Sequence, residues 1–139
     1  MRFTFTPSGP FSLAAAKRFL LGFPAGDPPP DGDGLVWAFL SDEGEPVAVR
    51  VRQTASRVTA EVLEGAGDAQ RLRAQVARML SLDVDGRPFE AIDDPVIAAL
   101  RAKLPGLRPV LFPTPYEAAV WAILSQRTQR RQAGAGSAG

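Results

Sequence analysis

Cysteine and histidine are absent from the 139 residues, tyrosine occurs once and lysine twice. Without cysteine there is no disulfide and no thiol nucleophile. Without histidine as well, structural zinc sites and every His-based acid–base or triad mechanism drop out. Any chemistry must then come from carboxylates, hydroxyls, Lys or Arg. No apolar run approaches the roughly 18 residues of a membrane span. Residues 1–6 lack the pattern of a secretion signal, so the expected address is the cytoplasm. The net charge of +1 does not by itself argue for a polyanion partner, but it is unevenly spread. Residues 1–26 carry +3, 27–45 carry −6, 46–80 carry +3, 81–107 carry −2 and 108–139 carry +3. Arginine outnumbers lysine 14 to 2. Guanidinium forks suit phosphate contacts, although a GC-rich genome gives the same bias.

Residues 2–6 alternate polar and apolar, as a half-buried strand does. Ser12 reads as an N-cap with Phe11 before it as a hydrophobic staple. Ala16, Phe19, Leu20 and Phe23 then recur at helical spacing, in a helix ending near Gly22. Residues 27–34 (DPPPDGDG) read as a loop. Three strands follow. Residues 35–40 are apolar on both faces, which predicts a central or covered strand. Val47, Val49 and Val51 alternate with Ala48, Arg50 and Arg52, and Val58, Ala60 and Val62 repeat the pattern. Their short connections fit antiparallel hairpins. Asp68 caps a helix whose stripe is Leu72, Val76, Met79 and Leu80. This order predicts an α+β layer, with two helices on an antiparallel sheet.

Beyond Leu82 only helices are expected. Asp94-Pro95 opens one through Val96, Ile97, Leu100 and Leu104. Thr114-Pro115-Tyr116-Glu117 is a capping box opening another through Val120, Trp121, Ile123 and Leu124, extended to Gln132. A domain boundary is expected near residues 83–92. Residues 133–139 (AGAGSAG) read as a flexible tail, and the end as a truncation, a frame change or an engineered terminus.

No phosphate-binding glycine loop or dinucleotide fingerprint is present. The carboxylate pairs Asp31/Asp33, Asp83/Asp85 and Asp93/Asp94 fall in loops or at caps, where turn chemistry accounts for them. Residues 104–109 (LPGLRP) begin like the Leu-Pro-Gly-x-Gly hairpin that grips a DNA phosphate. Arg108 stands where its second glycine would be, so a helix end and connecting loop is the reading.

Residues 109–126 (PVLFPTPYEAAVWAILSQ) resemble the start of the helical domain in the DNA-3-methyladenine glycosylase II family, alkylation-repair enzymes of the helix-hairpin-helix superfamily. Pro10-Phe11, the first helix and residues 78–83 (RMLSLD) are similar to that family's N-terminal segments. The resemblance covers residues 1 to about 132. It implies a TATA-binding-protein-like layer over residues 1–86 and the start of a helical glycosylase domain over 87–132. It also implies base excision repair, in which a damaged base is flipped from double-stranded DNA and its N-glycosidic bond hydrolysed. Phe19 matches a base-pocket aromatic of the N-terminal helix, and Trp121 would line the cleft; core packing is the alternative for both. Gln126 and Arg127 match the side facing DNA, with a solvated helix face as the alternative.

The family's wedge, hairpin and catalytic Asp have no counterpart here. The resemblance therefore implies no catalytic residue in the chain, no metal, no cofactor, and no excision by the chain alone. Nucleoid association in the cytoplasm follows from a DNA substrate. The rival reading is a non-catalytic DNA-binding module acting through Arg50, Arg52 and Arg57. A third is a fragment that associates through exposed Val120, Ile123 and Leu124.

Overall fold

Strand alternation sends Phe3 and Phe5 to one face of β1 (Arg2–Phe5), where both are buried. Ser12 then starts α1 (Leu13–Leu21) by accepting a hydrogen bond from the Ala15 amide at 3.1 Å. The structure, a computed structural model, describes residues 1–22, 30–31 and 34–126. Phe23, the linkers around β2, Arg127 and the 133–139 tail lie outside the described residues.

The sheet follows as β2 (Pro30–Asp31), β3 (Gly34–Leu40), β4 (Pro46–Thr54) and β5 (Arg57–Glu64). All pairings are antiparallel and the spatial order is β1-β5-β4-β3-β2. The reading of 27–34 as loop needs correction at two points. Pro30 and Asp31 pair with Leu35 and Gly34, and Gly34 already belongs to β3. Proline is tolerated there because β2 is an edge strand, where a missing N–H is no loss to the ladder.

The two long hairpins are as expected. Val47, Val49 and Val51 oppose Phe39, Trp37 and Leu35 on the buried face, with Val58 and Ala60 beside them. A register shift at Ala48/Val49 marks a bulge in the β4–β5 ladder. The covered strand expected at 35–40 is covered on one face only. Leu35, Trp37 and Phe39 are buried, whereas Ala38 and Leu40 are exposed.

Helix α1 supplies Leu13, Ala16 and Leu20 to this core. Helix α2 (Ala69–Met79), capped by Asp68 Oδ1 on the Arg71 amide at 2.8 Å, supplies Leu72, Val76 and Met79. Every residue of the buried apolar cluster lies between Phe3 and Leu82. Beyond it come α3 (Arg87–Glu90), α4 (Pro95–Lys103) and α5 (Pro115–Leu124), none of which contains a buried residue. Asp94 caps α4 by accepting from the Val96 and Ile97 amides. The short α3 falls inside the stretch expected as a boundary. The extension of the last helix to Gln132 lies outside the described residues.

The α4–α5 connection is held to the layer by polar contacts. Arg108, 7% exposed, donates to the carbonyls of Ser8, Gly9, Pro10, Ser81 and Val84 at 2.6–3.3 Å, and its guanidinium sits 5.9 Å from the Phe11 ring centre. Gly106, at φ +68°, offers its carbonyl to the Ser12 amide at 2.8 Å. A Cβ there would lie 2.9 Å from the Phe11 carbonyl carbon, so the close approach requires glycine.

Candidate functional site

The segment leaving Arg108 is pinned before it reaches α5. Ser81 Oγ donates to the Pro109 carbonyl at 2.7 Å, and the Leu111 amide donates to the Met79 carbonyl at 2.9 Å. Gln75, fully buried, donates through Nε2 to the carbonyls of Leu40 (3.0 Å) and Pro113 (3.2 Å), while its Oε1 accepts from the Asp42 amide. Arg78 makes a bidentate pair with Asp42 and also donates to the Pro113 carbonyl at 3.0 Å. The direction in which the chain enters α5 is thus set by side chains of α2.

That placement leaves a groove of about 330 Å³ between the layer and α5. One wall is Phe19 and Leu20 of α1 with Trp37 and Ala38 of β3. The other is residues 110–113 with Tyr116, Glu117, Val120, Trp121 and Leu124. Phe112 and Trp121 stand 6.4 Å apart between ring centres, tilted by 38°. Phe19 and Trp121, singled out from the sequence, therefore meet across one cleft. Phe19 is 43% exposed and outside the buried cluster, although its spacing centres it on the helical stripe. Gln126 is exposed, sits in the turn after α5 and does not line the groove. Arg127 lies outside the described residues.

Thr114 accepts from the Glu117 amide through Oγ1 at 3.2 Å, which is half of the expected capping box. The return bond is missing: Glu117 Oε2 is shielded from solvent and has no hydrogen-bond partner among the described residues. Position in the sequence assigns Glu117 only a capping part and places Arg108 where a hairpin glycine would stand. A carboxylate three residues after a helix cap and an arginine in a Pro-rich loop are both ordinary local features. What makes them unusual is what the fold brings against them.

Of the carboxylate pairs, Asp94 is engaged as the α4 cap and Asp85 has an arginine partner. Arg87 donates to Asp85 from both backbone and side chain, at 2.7–3.1 Å, and these bonds hold the Asp85 carboxyl down at about 2. Burial lowers the Arg108 pKa from its ordinary value, with the neighbouring Asp85 charge opposing it. Among the described residues no group of three or more acidic side chains is placed to hold a metal ion. The pairing register puts Arg50, Arg52 and Arg57 on the outer face of the sheet, opposite the helices. Among the described residues no helix is long and apolar enough to cross a membrane. The groove is lined mainly by apolar and aromatic side chains, and Glu117 is the one carboxylate in that lining among the described residues.

No protein-family model matches the chain, and no curated protein matches it in sequence. Its fold is similar to that of 3-methyladenine DNA-glycosylase from Archaeoglobus fulgidus, with a TM-score of 0.70 and 18% identity. The match covers 95% of this chain and 47% of that one, so the chain spans about half the length of that enzyme. What the two share is the fold of an N-terminal part.

Proposed function

With that shared fold as premise, we propose that the chain is a portion of a DNA-repair glycosylase acting on alkylated bases. In this reading residues 1–86 form an accessory layer related to the TATA-binding-protein half-fold, and 87–132 begin the helical domain. The groove is one side of the pocket in which a flipped base is stacked. The observation that carries the reading is the convergence of Phe19, Tyr116 and Trp121 on one cleft. Tyr116 is 75% exposed and Phe19 43%.

In this reading these residues bind but do not cleave, because the chain has no counterpart to the catalytic Asp that the resemblance calls for. The chain is expected to bind duplex DNA carrying an alkylated base and to release no base from it. Gel-shift titration and chromatography of released bases test both points. Phe19→Ala and Trp121→Ala should each weaken the preference for the damaged duplex about tenfold, since base–aromatic stacking is worth about 1–3 kcal/mol. Release of 3-methyladenine by the chain alone would overturn the division of labour. An unchanged preference in both variants would overturn the pocket.

A second reading rests on the register that aligns Arg50, Arg52 and Arg57 on the outer sheet face. There the chain binds DNA through its phosphates alone. Affinity would then fall steeply with salt, and Arg52→Ala would reduce that slope by about one. Loss of damage preference in Phe19→Ala with an unchanged slope in Arg52→Ala favours the pocket.

A further inference from the structure

Residues 35–40 are apolar at every position, the pattern of a strand covered on both faces. Leu35, Trp37 and Phe39 join the core beneath α1 and α2. Val36, Ala38 and Leu40 alternate to the outer face, where Ala38 is exposed and Leu40 is 44% exposed. The apolar area continues beyond β3. The register sets Ala48 of β4 beside Ala38. The bulge at Ala48/Val49 leaves Leu63 of β5, 42% exposed, as the extra residue next to Ala48. One end of the outer face is therefore an exposed apolar patch, the kind of surface that marks a contact with another molecule.

The other end of the same face is basic. Arg52 lies opposite Thr59 and Arg57 opposite Thr54, so the two guanidinium groups rise from neighbouring positions of β4 and β5. Both are exposed, and neither makes an ion pair among the described residues. Arg2, by contrast, is held by Glu61 at 3.3 Å. We propose that this outer face docks an amphipathic helix of a partner protein, with its apolar stripe on Leu40, Ala48 and Leu63 and carboxylates at the end over Arg52 and Arg57. Charge complementarity selects the acidic end. DNA phosphates would meet the arginines but leave the leucines uncovered, whereas such a helix meets both. The span also fits. Four strand residues, from Ala48 to Arg52, cover about 13 Å, the length of about nine helical residues.

The test uses the whole chain and a fluorescently labelled synthetic helix of about 14 residues. It carries leucines at i, i+3, i+4 and i+7 and a run of glutamates at one end. A second peptide has lysines in place of the glutamates. Fluorescence anisotropy reports binding, and thermal unfolding confirms that each variant remains folded. The glutamate helix should bind about tenfold more tightly than the lysine helix. Arg52→Ala combined with Arg57→Ala should remove that preference. Leu40→Ser combined with Leu63→Ser should weaken the glutamate helix about tenfold. Phe19→Ala, which alters the groove on the other side of the layer, should leave its binding unchanged.

Equal binding of the two peptides by the wild type overturns the proposal, as does a preference that survives loss of both arginines. Weaker binding in Phe19→Ala places the peptide in the groove and overturns it as well. Binding of neither helix does the same, and two further measurements then identify the occupant. Self-association lost with Leu40 and Leu63 assigns the face to a second copy of the chain. Binding of an undamaged duplex, lost with Arg52 and Arg57, assigns it to nucleic acid. The fate of the glycosylase reading is independent, because damaged-duplex preference is read at Phe19 and Trp121.

Discussion

Arg108 does at the scale of one residue what no element does here. Five carbonyls from two distant parts of the chain converge on a guanidinium that is nearly out of solvent. Arg108→Met would leave those carbonyls unpaired and should cost about 3 kcal/mol in urea unfolding. Arg108→Lys should recover only part of it, because an ammonium cannot reproduce the planar fork. Ala55 is the opposite case, a non-glycine residue held at φ +52° in the β4–β5 turn. Ala55→Gly should raise stability by about 1 kcal/mol by removing the Cβ from a left-handed conformation. Asp85 carries a pH signature. Its folded carboxyl is held at about 2 against 3.8 for a free one, so its contribution is fully present above 3.8 and lost as pH falls toward 2. Arg87→Ala should flatten the decline of the unfolding midpoint across that window; the effect is small because the pair is solvent-exposed.

At the scale of elements, what the sequence made legible was what is settled locally. Ser12, Asp68, Asp94 and Thr114 each cap the helix their position announces, because a cap needs only a side-chain oxygen and an amide two or three residues on. The hairpins were legible because their inward valines recur every second residue. What escaped was set by partners far away in sequence. Pro30–Asp31 became a strand through β3, and Gln75, polar and in the middle of an apolar stripe, was claimed by two carbonyls from other segments. Phe19 and Trp121 could be named from the sequence, but their meeting across one cleft depends on the 108–113 segment. Gln75→Leu should cost about 2 kcal/mol by leaving the Leu40 and Pro113 carbonyls and the Asp42 amide unpaired. Chemical denaturation measures that loss, and quenching of Trp121 by acrylamide should rise as the start of α5 loosens.

Over the whole molecule the apolar material is divided unequally. The layer up to Leu82 encloses its core, whereas Val96 is 65% exposed and Ile123 68% exposed on α4 and α5. Exposed apolar faces of this kind favour association. Val96→Lys combined with Ile123→Lys should leave the unfolding midpoint almost unchanged, because neither side chain supports the core. Sedimentation should show less self-association in that double variant than in the wild type. Equal association would place the contact on another surface. The arrangement also accounts for the contrast between the sequence and the folded molecule. Patterning can announce helices whose packing partners are absent from the described residues, and α4 and α5 form on caps and propensity without burying a side chain.

The Arg108 clamp also has a temporal side. Its bonds to Ser8 and Pro10 close loops of 100 and 98 residues, whereas the β3–β4 and β4–β5 hairpins pair close neighbours. Contacts of such long separation come after local ones along a folding route. The clamp should therefore be absent from the rate-limiting barrier, and its loss should fall on the rate of unfolding rather than of refolding. Stopped-flow traces of Arg108→Met should show nearly native refolding and unfolding faster by about a hundredfold, the kinetic equivalent of about 3 kcal/mol. The residue that fixes one wall of the groove would then also set how long the groove, once formed, persists.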